Sequence, residues 1–370
     1  MKVLYAIQGD KMSHIRQASH LISTIKKYCE VDLLISNYQH SEPLPLEVKY
    51  NFKGLQIHSK KPFKIDIWNT YIDDNKKKFR EEVKSLHIED YDFVINDFEP
   101  VSAWACYIKK VPCVSLSHQA ALLHKNSPQP KKKDLLDRFL LKNYAPSSFQ
   151  FGFHFGRYSS TIYTPIIRSE IYNIKAKDKG YYLVYLPSFN EIDIAKVLST
   201  IEGVHWKILS VQSKEVDIKN NITFYPYSDK RYIESLRNCT GLLCESEFEI
   251  AAEALHLGKK LMVICCKANM EQQYNAVALK NLGVQVIKKF KKSKLEKIHD
   301  WIESDFKIKI EYSNIVDHVI RRIFEFHVSD IRKDNCWNEN YFLQYPLEDA
   351  QITKNGENEG QAMPQPTNFI

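Results

Sequence analysis

The run GLLCESEFEIAAEALHLGKKLMVICCKANMEQQYNA, residues 241–276, decides how the rest of the chain is read. Leu242–Cys244 reads as a short buried strand, the acidic residues after it as a sharp turn, and the next stretch as a helix that Gly258 closes. Leu261–Cys265 is a second apolar strand, and a second helix opens at about Met270. Strand, helix and strand make a βαβ unit. In open parallel sheets the ligand lies over the carboxyl ends of the strands. The turn 245–249 and the segment 267–273 are therefore expected side by side over one cleft.

Outward from this unit, Tyr181–Leu186, Trp206–Leu209 and Ile222–Tyr225 read as further strands of the same sheet, in a series that starts after Thr164-Pro165. The amino-terminal half repeats the pattern. Val3–Ile7, Val31–Ile35, Asp92–Asn96 and Val111–Leu116 are strands, and 149–155 (FQFGFHF) is one more with no obvious helix after it. Ile15, Ala18, Leu21, Ile22 and Ile25 recur at helical spacing behind a capping Ser13. Trp68, Tyr71, Ile72, Phe79, Val83 and Leu86 line one face of a longer amphipathic helix. Alternating strands and helices predict an α/β protein of two doubly wound parallel-sheet domains, 1–163 and 164–312. A helix within 313–345 is expected to pack back on the junction, and the polar stretch 346–370 to form a mobile tail. A length of 370 residues suits two domains of about 150 each plus extras.

Hydrophobic content of 44% and charged content of 26% are ordinary for a soluble globular protein. No apolar run approaches the ~20 residues that span a bilayer, and MKVLYAIQGD enters a strand directly, so a cytoplasmic location is expected. The eight cysteines show no CxxC or Cys/His ligand spacing; they read as reduced core thiols, with no structural metal expected. A net charge of +7 favours anionic partners: nucleotide diphosphates, acidic lipid headgroups or nucleic acid, the last without a motif behind it.

Glu253 followed by Glu271-Gln272-Gln273 and Asn275-Ala276 resembles the nucleotide-sugar half of the GT-B glycosyltransferases. Those are enzymes of the family 1/28 type, among them the N-acetylglucosaminyltransferase that makes the peptidoglycan lipid intermediate. The resemblance implies two Rossmann-like domains facing across a cleft. It also implies sugar transfer from a UDP-type donor to a lipid or glycan acceptor, without metal or other cofactor and with inversion. It puts Glu253 on the donor ribose and Gln272 and Gln273, beside Glu271, on the donor sugar. TPIIRSEI at 164–171 is similar to the hinge whose arginine, here Arg168, faces the diphosphate, and Ser188, Ser246 and Lys267 fall on the same donor side. His14 matches the histidine ending the family's first loop, where an imidazole titrating near neutrality could take the acceptor's proton. Asp97 and Glu99, in NDFEP, are placed to act as base or to orient the acceptor, and His118 and Gln119 fall on the acceptor side. Each has a plainer reading. His14 could cap a helix, Asp97 and Glu99 before Pro100 could open one, and Glu253 and the glutamines could lie on solvated helix faces.

Two departures bear on chemistry. The family's glycine-rich first loop reads GDKMSH here, with Lys11 and Ser13 at glycine positions, so close backbone approach to a ligand is harder. Ahead of Glu253, where relatives have a glycine turn for the diphosphate, stands Glu245-Ser246-Glu247-Phe248-Glu249. Ser246 and Glu249 fit a capping box that would occupy the amides a phosphate needs. A glutamate ~5 Å from a phosphate charge costs ~3 kcal/mol at an effective dielectric of ~20. Only a cation such as Arg168, Lys267 or Lys11 would offset that. Two alternatives to a transferase therefore stand: a degenerate relative that only binds a glycan or partner, and a nucleotide-sugar epimerase of the same fold. Lys131, Lys132 and Lys133, ahead of Leu135, Leu136, Phe139 and Leu140, suit either an anionic membrane surface or a domain-packing helix. The basic run 288–297 reads as a solvated connection.

Overall fold

The computed structural model describes residues 1–9, 12–38, 47–55, 59–61, 64–65, 75–131, 135–266, 269–326 and 337. The first lobe grows from β1 (Lys2–Gln8), in which Val3 to Ile7 are all fully buried. A strand covered on both faces has no reason to alternate polar and apolar residues, and this one does not. Beside it lie β2 (Glu30–Ser36) and β3 (Tyr50–Phe52), then a short hairpin of β4 (Ser59–Lys61) and β5 (Lys64–Ile65) outside the sheet. The remaining strands are β6 (Phe93–Asp97), β7 (Cys113–Ser117), β8 (Phe149–Phe153) and β9 (Ile162–Tyr163). The order β3-β2-β1-β6-β7-β8-β9 is a seven-stranded parallel sheet, with β1 on β2 in register from Lys2↔Glu30 to Gln8↔Ser36. The helix Met12–Ile25 lays Ile15, Ala18, Leu21, Ile22 and Ile25 on one face of this sheet, and the helix Pro100–Lys109 covers the other with Val101 and Trp104.

The second lobe contains β10 (Tyr181–Tyr185), β11 (His205–Ser210), β12 (Asp217–Lys219), β13 (Ile222–Pro226), β14 (Gly241–Glu245), β15 (Lys260–Ile264) and β16 (Gln285–Ile287). Its order is β12-β13-β11-β10-β14-β15-β16, parallel throughout except for the antiparallel edge strand β12. The 241–276 unit is central to it: β14 pairs β15 in parallel from Gly241↔Lys260 to Glu245↔Ile264. Between them runs the helix Phe248–His256, and Gly258 at φ 65 turns the chain in the left-handed conformation glycine adopts without strain. A helix at Met270–Asn281 follows, opened by the Asn269 side chain accepting from Gln272 N.

The helix Val316–Phe326 returns to the first lobe. Phe324 stacks on Tyr28 at 5.2 Å and meets Phe93 edge-on at 5.5 Å. Val319, Ile320 and Ile323 are fully buried, each contributing about 1.5–3 kcal/mol to the clamp. The long amphipathic helix is described only over Asn75–Ser85, with Phe79 and Val83 in the core; Trp68, Tyr71, Ile72 and the stretch 346–370 lie outside the described residues.

Candidate active site

Where the carboxyl ends of the two sheets meet, the second lobe contributes a charged cluster around Glu253. Glu253, 4% exposed, accepts from Arg168 Nε on one oxygen and from Arg168 Nη2 (2.9 Å) and the Tyr232 hydroxyl (2.8 Å) on the other. The guanidinium lies 5.2 Å from the Tyr232 ring centroid, and Nη1 is 3.9 Å from Asp229 Oδ1. Burial works against the Arg168 cation, but the Glu253 carboxylate outweighs it and holds the guanidinium protonated more firmly than usual. Burial and Glu253 push the Tyr232 phenol well up, so it stays a neutral donor. The Arg168 charge is thus directed at Glu253, with Asp229 beside it.

The acidic turn is organised differently from its sequence reading. Glu245, 1% exposed, ends β14 and accepts from Ser188 N (2.9 Å), Ser188 Oγ (3.0 Å) and Gln272 Nε2 (2.8 Å). Gln272 accepts from Cys266 N through its other amide atom (3.2 Å), so it braces the turn instead of reaching toward a sugar. Ser246 is fully buried, its N bonded to Ile264 O (3.1 Å) and its Oγ to Gln272 O (2.9 Å). The helix therefore begins after Glu247, whose own side chain makes no cap bond to it. The Ser246–Glu249 capping box does not form. The Ser246 amide that Glu249 would have to reach is already bonded to Ile264 O, and the N-cap position falls on Glu247. Burial, with Glu245 adding to it, pushes the Cys266 thiol up to about 12. Glu271 and Gln273 are half-buried on the helix Met270–Asn281, and Lys267 and Lys11 lie outside the described residues.

The first lobe brings His14, Asp97 and His118 to the same junction. His14 is 8% exposed at the start of its helix, and its Nε2 is 3.5 Å from Glu249 Oε1 of the opposite lobe. Asp97, 6% exposed, ends β6 immediately before Phe98, a non-glycine residue at φ 55. Such left-handed strain persists where the surroundings over-determine it. Here Asn96 binds the Glu99 amide and carbonyl (3.0 and 2.7 Å), and Phe98 stacks on Tyr144 at 4.8 Å. Glu99 is corrected from candidate base to helix cap. It is fully buried and accepts from Val101 N (2.8 Å), Ser102 N (2.7 Å) and Ser102 Oγ (2.6 Å). Burial raises its pKa even against those bonds.

His118 joins the lobes directly. Its Nδ1 is 2.8 Å from Phe153 O and its Nε2 is 2.8 Å from Asn275 Oδ1, while Asn275 Nδ2 donates to Ser246 O at 3.0 Å. The ring stacks on Phe248 of the second lobe at 3.8 Å and 6°. Gln119 is buried beside it. A small cluster of Leu122, Met270 and Tyr274 packs across the junction, and Arg138 Nη1 donates to the Tyr274 hydroxyl at 3.3 Å. Phe248, Tyr274 and Asn275 thus shape the junction, although none was assigned a role from sequence. The signal for Phe248 was an apolar residue between two glutamates at a helix start; Tyr274 was indistinguishable from an ordinary core aromatic. Lys131 is exposed, and Lys132 and Lys133 lie outside the described residues.

Among the described residues no group of three or more His, Cys, Asp or Glu is arranged to hold a metal ion, and no helix is long and apolar enough to cross a membrane. No curated protein matches the sequence. Several solved structures share the fold at low identity. The calicheamicin glycosyltransferase is 12% identical with TM-score 0.55, over 89% of this chain and 94% of its own. MurG of Acinetobacter baumannii is 11% identical with TM-score 0.52, over 87% and 95%. A UDP-N-acetylglucosamine 2-epimerase is 12% identical with TM-score 0.52, over 89% and 96%. Two seven-stranded sheets meeting at their carboxyl ends, with helices on both faces, are the GT-B architecture. The profile described as glycosyl transferase family 1 matches residues 1–304, and the chain belongs to that family.

Proposed function

We propose that this glycosyltransferase moves a hexosyl group from a UDP-type donor onto a hydroxyl of a lipid or glycan acceptor, with inversion and without a metal ion. The observation that carries the reading is the Arg168–Glu253–Tyr232 cluster, standing at the strand ends opposite His14. One Glu253 oxygen keeps lone-pair capacity for a ribose hydroxyl beside the bond from Arg168 Nε. The diphosphate would lie at the amino end of the helix Phe248–His256, where the amino-terminal amides and the helix dipole favour an anion. Glu271 and Gln273 remain as candidates for the sugar hydroxyls.

In the transfer step the acceptor oxygen attacks the anomeric carbon as the bond to the diphosphate breaks. His14 takes the hydroxyl proton and UDP leaves with the bonding pair. The His14–Glu249 and His118–Asn275 contacts must part to admit both substrates. The test is release of UDP from a panel of UDP-sugars with and without acceptor. His14→Ala is expected to abolish transfer, and unchanged turnover would remove His14 from the mechanism.

A second reading, a protein that binds without catalysis, is favoured by Glu245, a buried carboxylate held by groups on the donor side. UDP binding distinguishes it: micromolar affinity supports the enzyme, and none at millimolar UDP supports the binder. An epimerase would turn a labelled UDP-sugar into a new UDP-sugar without acceptor. The proposal includes a cytoplasmic location and contact of Lys131, Lys132 and Lys133 with an anionic membrane surface. Loss of vesicle co-sedimentation in Lys131→Glu would support that contact.

A further inference from the structure

His154 follows β8 at the carboxyl end of the first sheet and is fully buried. Neither ring nitrogen has a hydrogen-bond partner among the described residues. Two buried polar atoms left unpaired cost about 1–3 kcal/mol each, and a phenylalanine would fill a similar space without that penalty. An arrangement that costs this much at a strand end facing a cleft calls for a reason beyond packing.

The surroundings supply one. His118 lies 5.2 Å from the His154 ring, Tyr158 5.2 Å and Phe155 5.5 Å, all from the first lobe. On the side of the second lobe Phe248 lies 6.3 Å away, and it also packs on His118 and Phe155. Among the described aromatic rings, Phe248 is the one that the opposite lobe adds to the box around His154, and the His118–Asn275 bond fastens it. Burial, with His118 beside it, pushes the His154 imidazole well down, so the ring is neutral near pH 7. A neutral imidazole offers one donor and one acceptor, as a hydroxyl does. Flanking rings suit the C–H face of a pyranose.

We propose that His154 binds a sugar hydroxyl of the acceptor, in a box that opens when the lobes part and Phe248 is withdrawn. The proposal rests on the glycosyl-transfer reading for the word acceptor, but its test does not use that activity. Saturation-transfer NMR on the full chain would be run with four probes: the methyl glycosides of glucose, galactose, mannose and N-acetylglucosamine. Wild type is expected to transfer saturation to at least one, His154→Phe to lose it at least tenfold while remaining folded, and His154→Gln to retain part of it. Equal signal in His154→Phe, or none from wild type with any probe, would overturn the assignment. Should His154→Phe fail to fold, His154→Gln decides: partial retention supports the role, and complete loss in a folded variant or full retention contradicts it. A protein that binds glycosides through His154 yet never releases UDP keeps this proposal and loses the transferase reading.

Discussion

Replacing Glu253 by glutamine separates a donor-site role from a structural one, provided it is read beside the double variant Arg168→Met/Glu253→Gln. The Arg168 and Glu253 side chains are 17% and 5% exposed, so the single change strands a largely buried guanidinium. Breaking such a pair costs about 3–5 kcal/mol. Asp229, 3.9 Å from Nη1, still faces the cation and recovers part of that, which puts the expected loss near the lower bound, about 3 kcal/mol. In the double variant the guanidinium and its carboxylate go together, Asp229 keeps the Tyr227 hydroxyl and partial access to water, and glutamine still accepts from the Tyr232 hydroxyl, so stability is expected within about 1 kcal/mol of wild type. Ligand binding should behave otherwise. A hydrogen bond from ribose to a charged acceptor is worth about 1.5–3 kcal/mol, so both variants should lose roughly tenfold to a hundredfold in UDP affinity. Urea melts measure the first quantity and calorimetric UDP titration the second. A double variant that binds UDP like wild type would refute the donor role of Glu253, and one as unstable as the single variant would refute the pairing argument.

Glu245→Gln should strengthen UDP binding, by up to about 3 kcal/mol if the phosphate comes within ~5 Å; unchanged or weaker binding would show that the phosphates lie elsewhere. Glu99→Ala should destabilise the chain by about 1–2 kcal/mol through loss of the cap, with kcat per folded molecule unchanged; a selective loss of kcat would restore Glu99 as a base. His154 makes stability pH-dependent. Its folded-state pKa lies below the unfolded value of about 6.5, so the unfolded chain takes up the proton first as pH falls. Stability tied to it is then present above about pH 6.5 and lost progressively as pH falls below that. His154→Phe should remove that share of the slope in urea midpoints between pH 7.5 and 5.5, and an unaltered slope would count against a neutral buried imidazole.

The fold was legible because its signals are periodic and local. Val3–Ile7 and Leu242–Cys244 are apolar without alternation, and Ile15 to Ile25 keep helical spacing, which suffices for strands buried on both faces and a helix beside them. The site was less legible because its decisive contacts join distant residues. S-x-x-E spacing at 246–249 reads as a capping box from any sequence, and only the distant Ile264 carbonyl on the Ser246 amide and a helix that begins after Glu247 show otherwise. Glu99 and Asp97 are two residues apart at one strand end, yet one is spent on two backbone amides and a hydroxyl and the other is not on that cap. His154 carries no sequence signal at all; in FQFGFHF it reads as one more residue of a buried strand.

The most direct test of a nucleotide-sugar site at the lobe junction is calorimetric titration of UDP into the full-length wild-type protein. The account predicts saturable binding at micromolar Kd, about −8 kcal/mol at 1 μM, weakened in the Arg168→Met/Glu253→Gln variant. Absence of heat up to millimolar UDP would contradict it.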